Sequence, residues 1–504
     1  MPRCSARWMM DGARCKSRSQ PRNRQRSPFH RTADGTIWGF LAEALILPTG
    51  LISAAYLTRA FGPDGYGLFS LAAALTSFAG GIATSLFARG SIKLVSEAND
   101  WQPVATTIVR MHFACGVATT LIVIVFARPI AVLLEEPRLA FYLYLFSLEP
   151  LLFVLARAHR SVLIGIGRFR EQAVPIALRS VTRLLLMIVL VESGLSISGA
   201  VLAIAGASLI ELVIYRGYIR LQFIPASTYP ASRLWSQSTP IFFSAICLAL
   251  FSRIDLFAIT SLGLPTLEAG YYGAAQNLSI IPGLFTVSFT PLLLSTLSTM
   301  LKNGEHENAR IMSRDAMRLV FGMLPFVAVA SGAAHEIVTL IFGARFAPAE
   351  PILAWLLFGK VAAVMISIAT VIMIIANRPG LSFALAAPML ALATAGHVLL
   401  IPIFGSLAAA WVTTSLEIAG ALAALIIVYR VQCASAPMAT VTRTLVIGGA
   451  AWLAGALVPA PGFWVIAKLA LVALAIVAGY GLLGEFSARE IAWGRAMLRL
   501  PERP

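Results

Sequence analysis

The stretch from Arg59 to Leu71 reads RAFGPDGYGLFSL and joins two long apolar runs through a segment rich in Gly and Pro. A similar segment returns further along the chain, where Thr260 to Leu278 reads TSLGLPTLEAGYYGAAQNL, again between apolar runs. The offset is about 205 residues, and it aligns Gly65-Tyr66-Gly67 with Gly270-Tyr271-Tyr272-Gly273. A loop that recurs together with its flanks indicates a duplicated unit, and the apolar flanks indicate what kind of unit it is.

The composition predicts an all-α, polytopic membrane protein. The chain has 504 residues, of which 58% are hydrophobic and 12% charged, whereas soluble domains carry about 25% charged residues. The apolar residues form blocks of roughly 20, long enough as helices to cross about 30 Å of hydrocarbon. We count about fourteen transmembrane helices, over residues 36–59, 66–88, 105–127, 139–160, 172–191, 197–217, 238–261, 275–299, 318–341, 352–376, 381–401, 406–429, 440–458 and 463–484.

The repeat predicts two lobes of six helices each. RPIAVLLEEPRLAFYLYLF (128–146) matches HEIVTLIFGARFAPAEPILAWLLF (335–358), and IGIGRFR (164–170) matches MIIANRPG (373–380). Both matches keep the order and approximate spacing of the repeated loop. An even number of helices returns the chain to its starting side, so both lobes lie in the membrane the same way up.

The predicted organisation follows from these limits. The repeated loop is expected to be the outer turn between the first two helices of each lobe, with Gly and Pro making the turn and the Tyr in an aromatic belt. The predicted parts are a basic disordered cytoplasmic tail (1–35), an N-lobe (36–220), a cytoplasmic linker (221–237), a C-lobe (238–430), two extra C-terminal spans (440–484) and a basic cytoplasmic tail (485–504).

The net charge of +16 is interpreted as a topology signal. Nine of the 39 Lys and Arg residues lie in the first 35 positions. If that tail is cytoplasmic, the loops on the opposite side hold just Arg59, Arg128, Arg138 and Arg345. This is the positive-inside bias, and it places both termini in the cytoplasm. We therefore expect membrane lipid as a partner and no nucleic acid.

Four segments resemble the oligosaccharide (O-antigen and exopolysaccharide) flippases of the multidrug/oligosaccharidyl-lipid/polysaccharide exporter superfamily. They are TRAFGPDGYGLFSLAAAL (58–75), SRIDLFAITSLGLPTLEAGYYGAAQNLS (252–279), IVTLIFGARFAPAEPILAWLLFGK (337–360) and LLIPIFGSLAAAWVTTSLEIAG (399–420). The resemblance implies a bacterial inner-membrane protein that moves polyprenyl-diphosphate-linked oligosaccharide from the cytoplasmic to the outer leaflet for polysaccharide biosynthesis. It also implies a polysaccharide polymerase and a chain-length regulator as partners.

One departure and two rival functions bear on this interpretation. Flippases of the peptidoglycan precursor carry a basic-acidic pair in the first span, where this chain has the uncharged LISAAYL (51–57). A multidrug cation antiporter of the same superfamily is the alternative function. An enzyme such as a glycosyltransferase is not expected, because no long loop or domain lies outside the predicted spans. No cofactor and no metal site are expected.

Basic residues inside the predicted spans are candidates for substrate binding and translocation. Arg179 and Arg183 are four residues apart and share a helix face, which suits a diphosphate gripped by two parallel hydrogen bonds or, alternatively, two side chains that snorkel to the cytoplasmic surface. Arg253 and Asp255 are two apart, so at least one needs a partner on another helix or water. Lys360 either lines a cavity or pairs with a carboxylate.

Acidic residues inside the spans are candidates for ion coupling: Glu43, Glu149, Glu211 and Glu417. Glu149 precedes Pro150, which frees a backbone carbonyl at a helix bend. A carboxylate there could carry a proton, or it could simply pack among polar neighbours. The sequence leaves open whether the membrane potential or ion exchange drives transport.

Overall fold

A computed structural model describes residues 45–98, 100–219, 246–247, 250–376, 378, 380–432 and 438–486. All regular structure in these ranges is helical, which confirms the predicted all-α class. The predicted tail 1–35, the linker 221–237, Glu43 and most of the tail 485–504 lie outside the described residues.

The N-terminal helices are α1 to α6. Their bounds are α1 Ile46–Glu97, α2 Trp101–Leu133, α3 Arg138–Phe146, α4 Leu148–Gly165, α5 Phe169–Leu190 and α6 Ser196–Tyr218. Helix α4 is central, because it packs against α1, α2 and α6. Hydroxyl groups are accommodated inside these apolar helices by donating to the carbonyl four residues earlier, as Ser53 does to Thr49 at 2.7 Å and Thr58 to Ala54 at 2.8 Å.

The C-terminal helices are α7 to α16. Their bounds are α7 Ile254–Ser261, α8 Thr266–Ser279, α9 Leu284–Lys302, α10 His306–Gly332, α11 Ala334–Phe342, α12 Glu350–Ile375, α13 Gly380–Phe404, α14 Ser406–Gln432, α15 Met438–Leu457 and α16 Trp464–Leu482. Helix α12 is central here and contacts α8, α9, α10 and α14.

Within the described residues, the predicted membrane spans have helical counterparts. Ten stretches of the described residues are long and apolar enough to cross a membrane. Ile46–Ser85 overlaps the two predicted spans 36–59 and 66–88, and Arg170–Tyr218 contains the two predicted spans 172–191 and 197–217. The helical segment at the span predicted over 275–299 is longer than predicted. It begins in α8 and continues through a 3₁₀ turn into α9. The span predicted over 238–261 is interrupted by a turn at Ser252 and Arg253, just before α7.

The repeated loop differs from its prediction. The turns are short and centre on Gly62 (φ 69°) and Gly263 (φ 81°), both in the left-handed region that glycine adopts without strain. The remainder of each segment is helical, so Gly67 and Gly270 lie within α1 and α8. Tyr66 and Tyr272 are 2% and 0% exposed. The aromatic-belt expectation is therefore wrong for them, because both rings are buried between helices.

The pair α15–α16 packs against α10, and three sets of contacts hold it in place. Gly332 and Gly455 let the backbones of α10 and α15 approach closely, in the manner of small residues at membrane helix crossings. The buried Lys468 ammonium contacts Glu336 at 2.9 Å and donates to two carbonyl oxygens of the α15 C-terminal region. Glu485 accepts from Arg443 at 2.7 Å and lies 3.1 Å from Arg318.

Candidate translocation site

The two copies of the repeated loop meet each other. The Asp64 carboxylate accepts a hydrogen bond from the Thr266 hydroxyl at 2.5 Å. The Asn277 side-chain amide donates to the Tyr66 hydroxyl oxygen at 2.7 Å. We call this contact the clasp and define it by Asp64, Tyr66, Gly67, Thr266, Gly270 and Asn277. It joins α1, in the N-terminal helices, to α8, in the C-terminal helices.

Glycine makes the clasp this close. A Cβ atom on Gly67 would collide with the carbonyl oxygen of Thr266, and one on Gly270 would collide with that of Pro63. Since the obstacles are backbone atoms, neither position can accept a side chain without moving a helix. Phe346 closes the clasp on one side, with ring centroids 5.9 Å from Tyr66 and 6.0 Å from Tyr271 in edge-to-face geometry.

A buried ion cluster lies within the N-terminal helices. It consists of Glu149 of α4, Arg179 of α5, and Ser208 and Glu211 of α6. The Arg179 guanidinium lies 3.2 Å from the Glu211 carboxylate and 3.7 Å from that of Glu149. The Ser208 hydroxyl donates to Glu149 at 3.4 Å. Arg179 thus already has two carboxylate partners, and its joint binding of a diphosphate with Arg183 stays a prediction.

Arg183 lies one turn further along α5 and has a different environment. Its side chain is half-buried, and its Nη2 atom approaches Gly50 of α1. Its Nε atom is buried and has no hydrogen-bond partner within the ranges that the structure describes. Of the two predicted arginines, Arg183 is thus the one whose charge is not matched by a nearby carboxylate among the described residues.

A second buried cluster lies within the C-terminal helices. Asp255 of α7 accepts from the Tyr272 hydroxyl at 2.6 Å and from the Gln276 amide at 3.3 Å, both on α8. The Lys360 ammonium of α12 donates to Glu417 of α14 at 2.8 Å. Asp255 thus has partners on another helix, as predicted from its spacing to Arg253, and Lys360 pairs with a carboxylate, one of the two roles considered for it.

The two clusters share a motif that sequence reasoning missed. Ser208 precedes Glu211 by three residues on α6, and Thr414 precedes Glu417 by three residues on α14. The spacing between the two glutamates agrees with the offset of the repeat, and each meets a basic side chain from its own set of helices. Comparing buried charges across the repeat would have found this pair from the sequence. Tyr272 and Gln276 gave no such signal.

The described residues contain no group of three or more His, Cys, Asp and Glu side chains placed to hold a metal ion. Each carboxylate of the two clusters instead has an arginine, lysine, serine, tyrosine or glutamine partner. One oxygen each of Glu211 and Glu417 accepts no hydrogen bond from the residues described. Burying a charge without a partner is expensive, so these pairings explain how the charges are tolerated among apolar helices.

The fold is shared with solved structures of membrane transporters and flippases. It is similar to the solved structure of lipid II flippase MurJ in its inward closed conformation, with a TM-score of 0.69 and 16% identity over 89% of this chain and 98% of that one. It is also similar to the Vibrio cholerae transporter VcmN in its bent form (TM-score 0.54, 16% identity, 80% and 97% covered). An inward-facing multidrug resistance transporter of the MOP superfamily gives a TM-score of 0.55 at 12% identity, with 81% and 98% covered.

The sequence model of the family described as polysaccharide biosynthesis protein matches residues 32–301. The chain belongs to this family, and its fold is that of the MOP flippases and transporters. The similar structures are of transporters and flippases rather than enzymes. No curated protein sequence matches the chain significantly.

Proposed function

We propose that the protein flips polyprenyl-diphosphate-linked oligosaccharide from the cytoplasmic to the outer leaflet of the bacterial inner membrane. Transport would occur by alternating access between an N-lobe (36–220) and a C-lobe (238–430). The family membership and the MOP flippase fold support this function in general terms. The observation that carries the mechanism is the clasp, because it joins the two lobes at one end of the molecule through the repeated loop.

The clasp has the properties of a contact that opens. It combines two polar hydrogen bonds with a glycine-mediated backbone approach. Apolar side chains around it, including Tyr272 and Phe346, belong to a core that is continuous between the two lobes. Two polar contacts can be exchanged for contacts with water when the lobes separate. The positive-inside distribution of Lys and Arg supports placing the clasp at the outer face and both termini in the cytoplasm.

The diphosphate would be bound by Arg183 of the N-lobe and Arg253 of the C-lobe. Arg253 is half-buried beside the turn that precedes α7, close enough to Lys360 for electrostatic interaction. Arg179 and Lys360 were also predicted to bind substrate, but their ion pairs with Glu211 and Glu417 favour a structural role. An arginine not neutralised by a carboxylate is the better ligand for phosphate oxygens.

A multidrug cation antiporter remains the alternative, and the carboxylates weigh against it. Cationic drugs need acidic side chains that are free to bind them. Glu149 and Glu211 face Arg179, Glu417 faces Lys360, and Asp255 accepts hydrogen bonds from α8. The resemblance to oligosaccharide flippases further supports a lipid-linked glycan as substrate, with a polymerase and a chain-length regulator as partners.

The experiment uses a reversible lock on the clasp. A variant with Asp64→Cys and Thr266→Cys, in a background without the five native cysteines, places two thiols where the native side chains now bond. Cells lacking the native protein would be complemented with this variant. The leaflet that exposes lipid-linked oligosaccharide would then be assayed with an impermeant glycan-modifying reagent. Each single cysteine variant is the matched control.

The expected result is oligosaccharide lipid trapped on the cytoplasmic leaflet under oxidising conditions, released by reductant, in the double variant alone. A locked protein that still delivers oligosaccharide to the outer leaflet would refute alternating access through the clasp. Normal leaflet distribution in cells without the protein, together with altered resistance to cationic drugs, would instead establish the antiporter.

A further inference from the structure

A small crevice lies between α7 and α13, outside both ion clusters. Its volume is about 150 Å³, and its lining includes Ile254, Phe257 and Ser261 from α7 and Thr394, His397 and Val398 from α13. Val398 is 52% exposed, so the crevice reaches the surface of the helix bundle. It lies near the clasp end of the molecule, because α7 ends at Ser261 and His397 is two turns before the end of α13.

His397 is the unusual residue of this crevice. Its side chain is 1% exposed, and neither ring nitrogen has a hydrogen-bond partner among the residues described. The buried His112 and His159 differ, because the Nδ1 atom of each bonds to the carbonyl oxygen four residues earlier at 2.8 Å. Buried polar groups are nearly always hydrogen-bonded. The His397 imidazole lies at the wall of a crevice and does not bond even to a carbonyl of its own helix. This geometry indicates a ligand that binds reversibly.

The charged surroundings of His397 indicate what that ligand is. Asp255 of α7 is near enough to interact with it electrostatically. Behind Asp255 lie Tyr272 on α8, Lys360 on α12 and Glu417 on α14, and Arg253 flanks the group on the α7 side. Imidazole is the side chain whose proton exchange falls in the physiological pH range. The remainder of the lining is apolar apart from the Ser261 and Thr394 hydroxyls, which donate to their own helix carbonyls.

We propose that His397 is the port through which protons pass between the crevice and Asp255. This inference rests on the proposed function and identifies the coupling ion as H⁺. One ring nitrogen of His397 takes a proton from water in the crevice, and the other ring N–H gives its proton to a second water molecule. That water passes one of its own protons to the Asp255 carboxylate, because neither ring nitrogen hydrogen-bonds to Asp255 directly. His397 ends neutral in its other tautomer, and Asp255 ends as an uncharged acid.

The proton reaches the clasp through α8. Asp255 binds Tyr272 and Gln276, which lie on the same helix as Thr266, Gly270 and Asn277 of the clasp. A neutral Asp255 holds these two donors less strongly than a carboxylate does. Protonation thus loosens the attachment of α8 to α7, and this frees the C-lobe half of the clasp to move.

The first test detects the proton itself. The full chain is purified in lipid nanodiscs with ring-labelled histidine, and the NMR signals are titrated between about pH 5 and pH 8. The chain has six histidines, so the signal missing from His397→Gln identifies His397. We expect that signal to titrate in this range and its midpoint to move by about half a pH unit or more in Asp255→Asn. A His397 signal that does not titrate in this range, or whose midpoint is unchanged in Asp255→Asn, overturns the proposal.

The second test measures transport in vesicles at zero membrane potential. Wild-type flipping of lipid-linked oligosaccharide should change about fivefold or more between pH 6 and pH 8, and less than about twofold in His397→Gln. His112→Gln, an equally buried histidine of the N-terminal helices, should respond like the wild type. An unchanged pH response in a folded His397→Gln protein overturns the proposal. If the wild type moves no oligosaccharide lipid, the proposed function fails, and the NMR titration still decides whether His397 exchanges protons with Asp255.

Discussion

The basic side chains discussed above form two groups, according to whether a carboxylate contacts them. Arg179, Lys360 and Lys468 each contact a carboxylate within 3.2 Å and are largely buried. Arg183 and Arg253 have no such carboxylate among the residues described. Each member of a buried ion pair needs the other, because a buried charge without a partner is strongly destabilising. Under the proposed function, Arg183 and Arg253 are therefore the arginines available to bind an anionic substrate.

The pair Lys360–Glu417 gives the first prediction. Lys360→Met leaves Glu417 buried and uncompensated, and breaking a buried pair this way costs about 3–5 kcal/mol. The double variant Lys360→Met with Glu417→Leu removes both charges and should regain most of that stability. Thermal unfolding in detergent measures both. Equal destabilisation by the single and the double variant would show that the pair does not govern stability here.

The unmatched arginines give the second prediction. Arg183→Ala and Arg253→Ala should each weaken substrate engagement about 10- to 100-fold, because a charge-assisted hydrogen bond contributes about 1.5–3 kcal/mol. Both proteins should unfold near the wild-type temperature. Arg179→Ala is the contrasting variant and should lose stability first, since it leaves Glu149 and Glu211 unpaired. Cells would be assayed for oligosaccharide lipid on the cytoplasmic leaflet. Full rescue by Arg253→Ala would remove that residue from the pathway.

Helix α1 shows how one element combines a bend with an interface. Gly62 adopts a conformation that other residues rarely adopt, so it interrupts α1 at that point. Five residues later Gly67 has ordinary helical geometry and serves contact instead, because the Thr266 carbonyl of α8 occupies the space of a side chain. Glycines that look alike in RAFGPDGYGLFSL therefore have different functions.

Helix α1 also gives the third prediction. Gly67→Ala should force α1 and α8 apart and hold the clasp open. Gly81→Ala in the same helix is the matched control, because nothing lies within 4 Å of the added methyl group. The readout is labelling of Thr266→Cys by a membrane-impermeant maleimide, in a background lacking the native cysteines. Position 266 is 8% exposed in the closed clasp, and we expect labelling about fivefold faster with Gly67→Ala. Identical labelling in both glycine variants would contradict a tight glycine contact.

The sequence predicts the helices well, but it does not predict which helices contact each other. Apolar blocks are local signals of membrane helices, so the all-α class and its approximate spans followed from composition and pattern. The repeated loop predicted the duplication. The clasp did not follow, because nothing near Gly67 specifies Gly270 as its neighbour. Likewise the pair of Arg179 with Glu211 did not follow from the sequence, since helix packing, not spacing along α5, decides which side chains meet. His397 gave no signal, because a single histidine in an apolar helix resembles a packing residue.

In the molecule as a whole, most buried charges are paired with an opposite charge from the same half. The cluster around Arg179 belongs entirely to α4, α5 and α6, and the pair Lys360–Glu417 to α12 and α14. The clasp, in contrast, is bridged by hydroxyl, amide and carboxylate groups without an ion pair between its two loops. When the two halves rock against each other, no buried ion pair of these clusters has to be broken. If the protein has the proposed function, the substrate diphosphate is then the main charge that crosses the membrane.

That charge distribution gives the last prediction. A diphosphate diester carries roughly two negative charges, and an inside-negative potential favours outward movement of an anion by about 2.3 kcal/mol per charge per 100 mV. Flipping from the cytoplasmic to the outer leaflet should therefore accelerate about tenfold or more at −100 mV relative to zero potential. Vesicles with a potassium gradient and valinomycin set the potential, and equal pH on both sides separates this effect from proton exchange at His397. Arg183→Ala should keep the dependence on potential while lowering the rate, because it removes a ligand and not the substrate charge. Rates that do not respond to potential would mean that charged groups of the protein move with the substrate and cancel its charge.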